Sequence, residues 1–407
     1  MPDYQKIKQT CESNTELARV FVDEYLLYFV GAKEGLEDKF RRQIAMYKHV
    51  VSRMNKSWSN YLMSQLIAHK LFKMNGLAAK YLTHPTIQAR SEAELDYLEF
   101  QIKNPWRFSY CKIIEKPAPD FYVMQDVLSQ ETFLLYSQGV GSIIKEAGAE
   151  PALWFMLIGF NGECFQTYST IEYFKGFQPF DIFFFAKKLK ADLLFSTDVP
   201  ALIDSNPIPF LMLWIGGEIP STYNKEHLMV CCQSEYRLKE FNTSVLENDF
   251  TIEEKQKVVR LGLKGADEFP HFCSAYFDRK KSLLMLSSMT KHGYDMLVSA
   301  FNKSGNDYPK EPDILSTLGM IHTIKDVLRI NVEVNPYEKR FIKKSSPGSD
   351  KELGKINAFL KMLIDKMNNK QPYDLDKLAK DSDIDIETAR ELASNLQKKI
   401  SDMPYGR

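Results

Sequence analysis

Arg107-Phe-Ser-Tyr-Cys-Lys-Ile-Ile-Glu115 is the first of five short segments, all between residues 106 and 174, that are rich in aromatic and β-branched residues. Segments of this kind, when bounded by turn-forming residues, are typical of β-strands. The other four are Phe121-Tyr-Val-Met-Gln-Asp-Val-Leu128, Thr132-Phe-Leu-Leu-Tyr136, Leu153-Trp-Phe-Met-Leu-Ile-Gly159 and Cys164-Phe-Gln-Thr-Tyr-Ser-Thr170. Five short strands can bury an apolar face only if the sheet curls on itself or a helix covers it. The stretch therefore predicts a small five-stranded barrel of the SH3-like or OB-like kind.

Two turns connect these strands into hairpins. Ser129-Gln-Glu131 is short enough for a hairpin loop, and Asn161-Gly162 is the strongest hairpin signal in the chain. A type I′ turn is predicted at Asn161-Gly162, because that turn needs positive φ at both central positions. Phe108, Tyr110 and Ile113 are expected to share one face of the first strand, which alternates apolar with polar residues. The aromatic residues are expected to fill the core, and a barrel by itself does not identify a ligand.

Sequence composition divides the rest of the chain into further regions. Residues 1–104 place apolar residues at helical spacing, and Ser91-Glu-Ala-Glu94 fits a capping box, so they are predicted to form a helical domain. The barrel is assigned to residues 105–178. Residues 179–340 mix helical and strand patterns, which predicts an α+β domain with a mixed or antiparallel sheet.

Three elements of this α+β domain are predicted from their patterns. Phe210-Leu-Met-Leu-Trp-Ile215 is apolar on both faces, as a central strand would be. Ile252 to Gly262 is predicted to be a helix with Thr251 as its cap, and Leu315 to Leu328 is predicted to be another helix.

The carboxy-terminal region is predicted to be helical. Residues 341–350 are predicted to be a linker, because Ser345-Ser-Pro-Gly-Ser349 lacks apolar residues. Residues 351–407 contain an amphipathic helix followed by a pattern like that of a helix-turn-helix. The region is expected either to dock on a partner protein or to close a small helical core.

An acidic run argues against two other interpretations of this region. Asp381, Asp383, Asp385 and Glu387 lie where a recognition helix would approach DNA, and they would repel phosphate. The first three also occupy the first ligand positions of an EF-hand loop. That loop needs a glycine and a glutamate at positions that Ile386 and Leu392 occupy here, so no calcium site is expected.

The charge balance and the cysteine content restrict the possible classes of protein. The 407 residues include 53 basic and 53 acidic side chains, which argues against a protein that coats nucleic acid but allows a local basic patch. The six cysteines are scattered without zinc-ligand spacing and are interpreted as buried thiols in a reducing compartment. The first residues are polar, and no apolar run reaches about twenty residues, so a cytoplasmic protein without a membrane partner is expected.

Catalytic signatures are weak. Gly139-Val-Gly141 lacks the other glycines of a nucleotide-binding fingerprint and is interpreted as a turn. Asp267, Glu268, His271 and Cys273 form the densest reactive cluster, but a cap, a turn and a buried thiol explain the same residues. His69 lies on the apolar face of a predicted helix and is interpreted as a core or boundary histidine.

Three functions are compatible with these observations. The first is a non-enzymatic intracellular binding or scaffold protein whose partner is another protein. The second is a nucleic-acid-associated protein, and the third is an enzyme whose site is assembled from distant residues. No cofactor and no metal is expected. The candidate binding residues for the second function are Arg107, Lys112, Lys339, Arg340, Lys343 and Lys344.

Overall fold

The structure is a computed structural model that describes residues 2–53, 56–148, 151–168, 170–217, 221–224, 226–238, 241–305, 307–341, 347–368 and 371–401. The chain divides into two compact units, one ending at Tyr337 and the other beginning at Glu338. The predicted α+β class is confirmed, with helices toward both termini, a closed five-stranded barrel and additional sheets.

The chain before the barrel is helical, as predicted. Its elements are α1 (Tyr4–Leu17), a π-helical segment (Ala18–Leu26), α2 (Leu27–Glu34), α3 (Leu36–Ala45), α4 (Lys48–Val51), α5 (Lys56–Phe72), α6 (Ala78–Leu82), α7 (Pro85–Gln88) and α8 (Glu92–Lys103). The predicted capping box at the start of α8 is confirmed. Ser91 N donates to Glu94 Oε2 at 3.0 Å, and Glu94 N donates to Ser91 Oγ at 3.4 Å.

The predicted barrel is confirmed. Its elements are β1 (Arg107–Ala118), β2 (Phe121–Asp126), β3 (Thr132–Tyr136), α9 (Gln138–Ala147), β4 (Leu153–Phe160), β5 (Phe165–Thr167) and β6 (Glu172–Phe174). The strands pair in the order β1-β2-β3-β5-β4, and β4 pairs back with β1 to close the barrel, while β6 extends from β4. Only the pair of β3 with β5 is parallel among these strands.

Both faces of β4 are buried. Trp154, Met156 and Ile158 belong to the apolar cluster inside the barrel. Phe155 and Leu157, which alternate with them on β4, pack in the core that the barrel shares with the surrounding helices. Phe108 and Tyr110 belong to that same shared core and share a face as expected, but Ile113 packs against the cluster inside the barrel, so its assignment to that face is wrong. The helices therefore cover the outside of β1 and β4.

Two predictions about the turns of the barrel are wrong in detail. The hairpin at Asn161-Gly162 exists, but its loop runs from residue 161 to residue 164, because Phe160 pairs with Phe165. Only Gly162 has positive φ, at 100°, so the turn is not type I′. The Asn161 side chain accepts hydrogen bonds from the backbone of Glu163 and Cys164 and holds the loop instead. Gly139-Val-Gly141 lies within α9 and is not a turn.

Short helices follow the barrel. They are α10 (Pro179–Leu189), a 3₁₀ turn (Ser196–Asp198), α11 (Val199–Ser205), α12 (Ile208–Leu211) and α13 (Trp214–Gly217). The strand predicted over Phe210 to Ile215 is therefore wrong. The segment is apolar all round because it is buried on all sides, and Pro207 and Pro209 favour the first turn of a helix.

An antiparallel sheet completes the first unit. The elements are β7 (Tyr223–Asn224), β8 (His227–Leu228), β9 (Val230–Arg237), β10 (Phe250–Lys255), β11 (Val258–Leu263), β12 (Ser274–Asp278), β13 (Leu283–Ser288), α14 (Lys291–Lys303), β14 (Ile314–Thr317) and α15 (Leu318–Leu328). Six of the strands pair in the order β10-β11-β12-β13-β9-β14, and α14 packs on this sheet. The helix predicted over Ile252 to Gly262 is wrong, since these residues form the β10–β11 hairpin. The helix predicted from Leu315 begins at Leu318, after a strand.

The second unit is helical, as predicted. It contains a 3₁₀ turn (Glu338–Arg340), α16 (Pro347–Asn368), α17 (Leu375–Ser382) and α18 (Ile386–Ser401), with a small apolar core among the three helices. Helix α16 begins inside the segment predicted to be a linker, and residues 342–346 lie outside the described residues.

No single helix in the described ranges is long and apolar enough to span a membrane. One bent pair, Ser196–Ser205 and Ile208–Gly216, meets the length and composition criteria only when its two helices are taken together, at an angle of 102°.

Candidate functional site

A cleft with a volume of about 360 Å³ opens between α3, α5 and the segment from residue 204 to residue 208. We call it the His69 cleft. Its apolar lining comes from Leu36, Phe40, Leu66, Leu77 and Ile208. Its polar lining includes Lys39, Lys70, Lys73, His69 and Asp204. An apolar cleft with a few convergent polar groups is the usual form of a ligand site in a helical layer.

His69 is held at the base of this cleft by helical spacing. Leu62 and Leu66 precede it on the buried face of α5, and Phe72 follows it. Its ring contacts the ring of Phe108 on β1, with 4.7 Å between centroids. The side chain is only 3% exposed, which confirms the interpretation of His69 as a core or boundary residue.

Asp204 on α11 is bonded to the side chains of His69 and Lys73, and so connects α11 to the end of α5. His69 Nε2 lies 2.9 Å from Asp204 Oδ1. Lys73 Nζ donates to Asp204 Oδ2 and to the Asp204 backbone oxygen, both at 2.8 Å. The three side chains therefore form one hydrogen-bonded group that connects the helices before and after the barrel.

The protonation state of this group follows from its surroundings. Burial lowers the pKa of His69, although Asp204 acts in the opposite direction. Burial acts to raise the pKa of Asp204, but the hydrogen bonds from His69 and Lys73 outweigh it and hold that pKa below its usual value. Near neutral pH the imidazole is therefore uncharged and donates its Nε2–H to an ionised carboxylate.

The remaining charges leave the cleft with an excess of lysine. The Glu34 carboxylate accepts hydrogen bonds from Lys80 Nζ at 2.5 Å and from the Tyr81 hydroxyl at 2.9 Å. Lys39 Nζ donates to the Glu34 backbone oxygen at 2.7 Å, which leaves its charge without a bonded carboxylate. The Lys70 ammonium group makes no hydrogen bond or ion pair with any described residue. The unmatched cations favour an anionic ligand.

The group around His69 does not resemble a nucleophilic catalytic site. Ser205 supplies a hydroxyl group to the lining of the cleft. Its Oγ donates to the Leu202 backbone oxygen at 3.0 Å and not to His69. Nucleophilic catalysis requires a hydrogen bond between nucleophile and base, and the described lining contains none. The arrangement can bind and orient an anion.

The predicted basic residues do not meet within the first unit. Arg107 pairs with Glu131 at 2.5 Å and lies over the rings of Phe133 and Phe165. Lys112 is exposed five residues further along β1, so the two side chains leave the strand on opposite faces. The other four candidate residues belong to the second unit: Lys339 and Arg340 lie in its 3₁₀ turn, and Lys343 and Lys344 lie outside the described residues. The nucleic-acid interpretation stays a prediction.

The reactive cluster between Asp267 and Cys273 separates into independent contacts. Arg260 binds Asp267 through both terminal nitrogens at 2.8 Å, and His271 Nδ1 lies 2.7 Å from Thr290 Oγ1. Cys273 Sγ donates to the Gly293 backbone oxygen at 3.2 Å, and burial raises its pKa to about 11. Cys273 is therefore a buried thiol at neutral pH and is not paired with His271.

Three imidazoles come together near the surface of the antiparallel sheet. The ring centroids of His227, His271 and His292 lie 4.9 to 5.5 Å apart. Burial lowers the pKa of His271, and the neighbouring imidazoles act in the same direction. Within the described ranges, however, no group of three or more His, Cys, Asp or Glu side chains is arranged to hold a metal ion.

The sequence placed His69 on a buried helix face but gave no sign of a site there or of its partners. Asp204 and Lys73 carry no motif, and the 135 positions between His69 and Asp204 remove any signal from spacing. Comparison of the chain with models of known protein families, with curated proteins and with solved structures found no match.

Proposed function

We propose that this protein is a non-enzymatic intracellular binding protein whose His69 cleft takes an acidic group of a partner protein. The observation that carries the proposal is the excess of lysine over carboxylate around an apolar cleft. Asp204 is already satisfied by His69 and Lys73, so Lys39 and Lys70 are the groups that a ligand carboxylate would meet. The six free thiols support a reducing compartment.

The shape of the cleft favours a segment of a larger molecule. Lys39, Gln43 and Lys70 at the edge of the cleft are exposed, so an occupant would be enclosed only in part. Sites for free small molecules usually bury about 70 to 90% of the ligand. A short peptide segment that inserts an acidic side chain and an apolar neighbour fits a partly open cleft better. The apolar neighbour would lie against Phe40 and Leu66.

The test is a binding screen of the full-length protein against short peptides in which Glu, Asp or a terminal carboxylate adjoins Leu or Phe. Each peptide has a counterpart with Gln, Asn or a terminal amide in place of the carboxylate. A charge-assisted hydrogen bond contributes about 1.5–3 kcal/mol, so neutralising the peptide carboxylate should weaken binding about tenfold or more. Lys70→Glu should weaken binding by a similar factor.

Lys112→Glu is the matched control, because it makes the same change of charge at an exposed position on β1 that does not line the cleft. It should leave peptide affinity unchanged. Equal losses in Lys70→Glu and Lys112→Glu would mean that only net charge matters and would overturn the proposal. Binding of free carboxylates or phosphates without any peptide would also overturn the proposal that the occupant of the cleft is part of a protein. Duplex DNA binding that Lys112→Glu abolishes would favour the nucleic-acid alternative.

A further inference from the structure

Two cysteines that are far apart in the sequence face each other where α1 contacts the barrel. Cys11 lies on the buried side of α1, and Cys164 ends the loop before β5. Their Sγ atoms are 3.4 Å apart across 153 positions of sequence, and both residues are buried. A disulfide bond has a length of about 2.05 Å, so the two sulfur atoms need to approach by only about 1.4 Å.

The surroundings of this pair are polar. Asn161 Nδ2 donates to Cys11 Sγ at 3.2 Å, and Gln166 Nε2 donates to the Cys11 backbone oxygen at 3.0 Å. Gln166 Oε1 in turn accepts from Asn161 Nδ2 at 2.7 Å and from Asn14 Nδ2 at 2.9 Å. A side-chain donor aimed at sulfur stabilises a thiolate.

Cys11 differs in this respect from the other thiols of the chain. The hydrogen bond from Cys164 lowers the pKa of Cys11, and Asn161 adds to this effect while burial opposes it. The same pair interaction raises the pKa of Cys164, which holds the shared proton. Burial raises the pKa of Cys111, Cys231, Cys232 and Cys273. Cys11 is thus the one thiol among the six whose pKa is lowered.

We propose that Cys11 and Cys164 form a reversible oxidation site, in which a peroxide converts the thiol pair into an intramolecular disulfide that ties α1 to the barrel. The inference is independent of the function proposed for the His69 cleft. It rests on the contact between the two sulfur atoms and on the polar groups that surround them.

The chemistry balances in two steps with hydrogen peroxide as the oxidant. The Cys11 thiolate attacks one peroxide oxygen, the O–O bond breaks, and with one proton taken up the products are a sulfenic acid and water. The Cys164 sulfur then attacks the Cys11 sulfur, the S–O bond breaks, and the leaving hydroxide takes the Cys164 proton to become a second water. Two thiols lose two electrons in total, and one peroxide gains them. A dithiol reductant reverses the reaction by exchange.

Oxidant can reach the buried pair only when α1 opens, and α1 buries little apolar surface although Gln166 and Asn161 hydrogen-bond to it. Ile7 and Cys11 are its only buried residues, and with Phe121, Tyr136 and Cys164 they form a small apolar cluster separate from the main cores. Elements with few buried contacts open at a lower free energy than the whole domain. Opening of α1 exposes Cys11 and Cys164 together, and a disulfide would prevent that opening.

The experiment treats the full-length wild-type protein with a small excess of hydrogen peroxide, followed by alkylation and mass spectrometry of a non-reducing digest. A linked Cys11–Cys164 peptide should appear, and the thiols counted in denaturant should fall from six to four. Dithiothreitol should restore all six. Amide hydrogen exchange of residues 4–17 should slow by roughly tenfold or more in the oxidised protein.

Variants separate this site from general oxidation. Cys164→Ser should abolish the linked peptide and let dimedone trap a sulfenic acid at Cys11, while Cys273→Ser should change neither result. The wild-type digest decides the matter even if a variant fails to fold. Oxidation of other cysteines before this pair, or sulfinic acid at Cys11 without a linked peptide, would overturn the proposal.

Discussion

His69 Nε2 lies 2.9 Å from Asp204 Oδ1, although 135 positions separate the two residues in the sequence. The contact joins α5, which precedes the barrel, to α11, which follows it. Phe108 of β1 lies against the same imidazole. The lining of the His69 cleft is therefore also a connection between three parts of the fold, and changes in it are expected to affect stability as well as binding.

Asp204→Ala should destabilise the protein by about 1–3 kcal/mol, because it leaves buried hydrogen-bond donors without their acceptor. His69 is 3% exposed and Lys73 is 17% exposed, so water can replace the carboxylate only in part. Urea unfolding measures the change. Asp192→Ala removes an exposed carboxylate and should change stability by less than about 0.5 kcal/mol. Equal effects in the two variants would show that the Asp204 contacts contribute nothing.

Glu172→Gln should stabilise the protein at neutral and alkaline pH. Glu172 is 3% exposed on β6, its Oε2 has no hydrogen-bond partner among the described residues, and burial raises its pKa well above the usual value. In the wild type the unfolded chain loses this proton from about pH 4.5 upward, while the folded protein retains it. The stability of the wild type therefore falls relative to that of the variant as pH rises, by up to about 1.4 kcal/mol per pH unit.

Urea unfolding of the wild type and the Gln variant at pH 5, 6, 7 and 8 tests this difference. The two should be closest at pH 5 and furthest apart at pH 8. Glu146→Gln, at an exposed position on α9, should follow the wild type at every pH. Parallel profiles for the wild type and Glu172→Gln would contradict a buried neutral carboxyl group.

Asp181→Ala should destabilise the protein by about 2–4 kcal/mol, because Asp181 is a shared acceptor between α10 and the β14–α15 junction. Its carboxylate accepts from Gln178 N and Thr317 N, both at 2.8 Å, and from the Ser316 hydroxyl at 3.1 Å. The variant leaves the buried Thr317 N–H and the half-buried Gln178 N–H without their acceptor. Denaturant unfolding at pH 7 measures the loss.

The pH dependence of the same residue gives an independent check. Burial raises the pKa of Asp181 to about 6, against the effect of its hydrogen bonds. The extra stability that comes from the protonated form of this carboxyl group is therefore complete below about pH 3.8 and is lost as pH rises through about 6, while the hydrogen bonds to the ionised carboxylate remain. Relative to Asp181→Asn, which cannot titrate, the wild type should lose stability between pH 4 and 6 and stay constant above pH 7. A constant difference from pH 4 to pH 8 would contradict the raised pKa.

Gly162→Val should destabilise the protein by about 1 kcal/mol or more, because a β-branched residue resists positive φ. The backbone φ of Gly162 is 100°, and an added Cβ would meet only Phe100 at an ordinary distance of 3.8 Å. The cost would therefore come from the backbone and not from a clash. Gly31→Ala in α2 has similar space, with Ile67 at 3.6 Å, and no positive φ, so it should not destabilise. Thermal unfolding compares the two.

The barrel could be predicted from the sequence because its strands have a local signal. On β4, Trp154 and Met156 face the inside while Phe155 and Leu157 face the helices, which makes the whole segment apolar. Such a strand between turn formers is distinctive. The parallel pair of β3 and β5, and the pairing of β4 with β1 that closes the barrel, depend on tertiary contacts and have no sequence signal.

Two elements were predicted wrongly for identifiable reasons. A short segment that is apolar on every side, such as Phe210 to Ile215, fits a buried helix as well as a buried strand. The segment from Ile252 to Gly262 is a hairpin whose turn residues, Gln256 and Lys257, have φ of 51° and 64°. Neither residue is one that usually marks a turn with positive φ, so the hairpin carried no signal.

The candidate site was the least predictable part. His69 could be assigned to a buried helix face because its spacing with Leu62 and Leu66 is local. Whether a buried histidine meets a carboxylate depends on which distant helix packs against it. Asp204 lies on a short helix beyond the barrel, and its sequence neighbours give no indication of that contact.

The core that the helices share with the outside of the barrel has a consequence for how the chain is synthesised. It contains Phe21 near the amino terminus and Ile324 on α15. At about 5–20 residues per second, a ribosome needs roughly 15–60 s to proceed from one to the other. During that time the first helices leave the exit tunnel before all the residues that will cover them exist. We expect the nascent chain to need chaperone protection until α15 emerges.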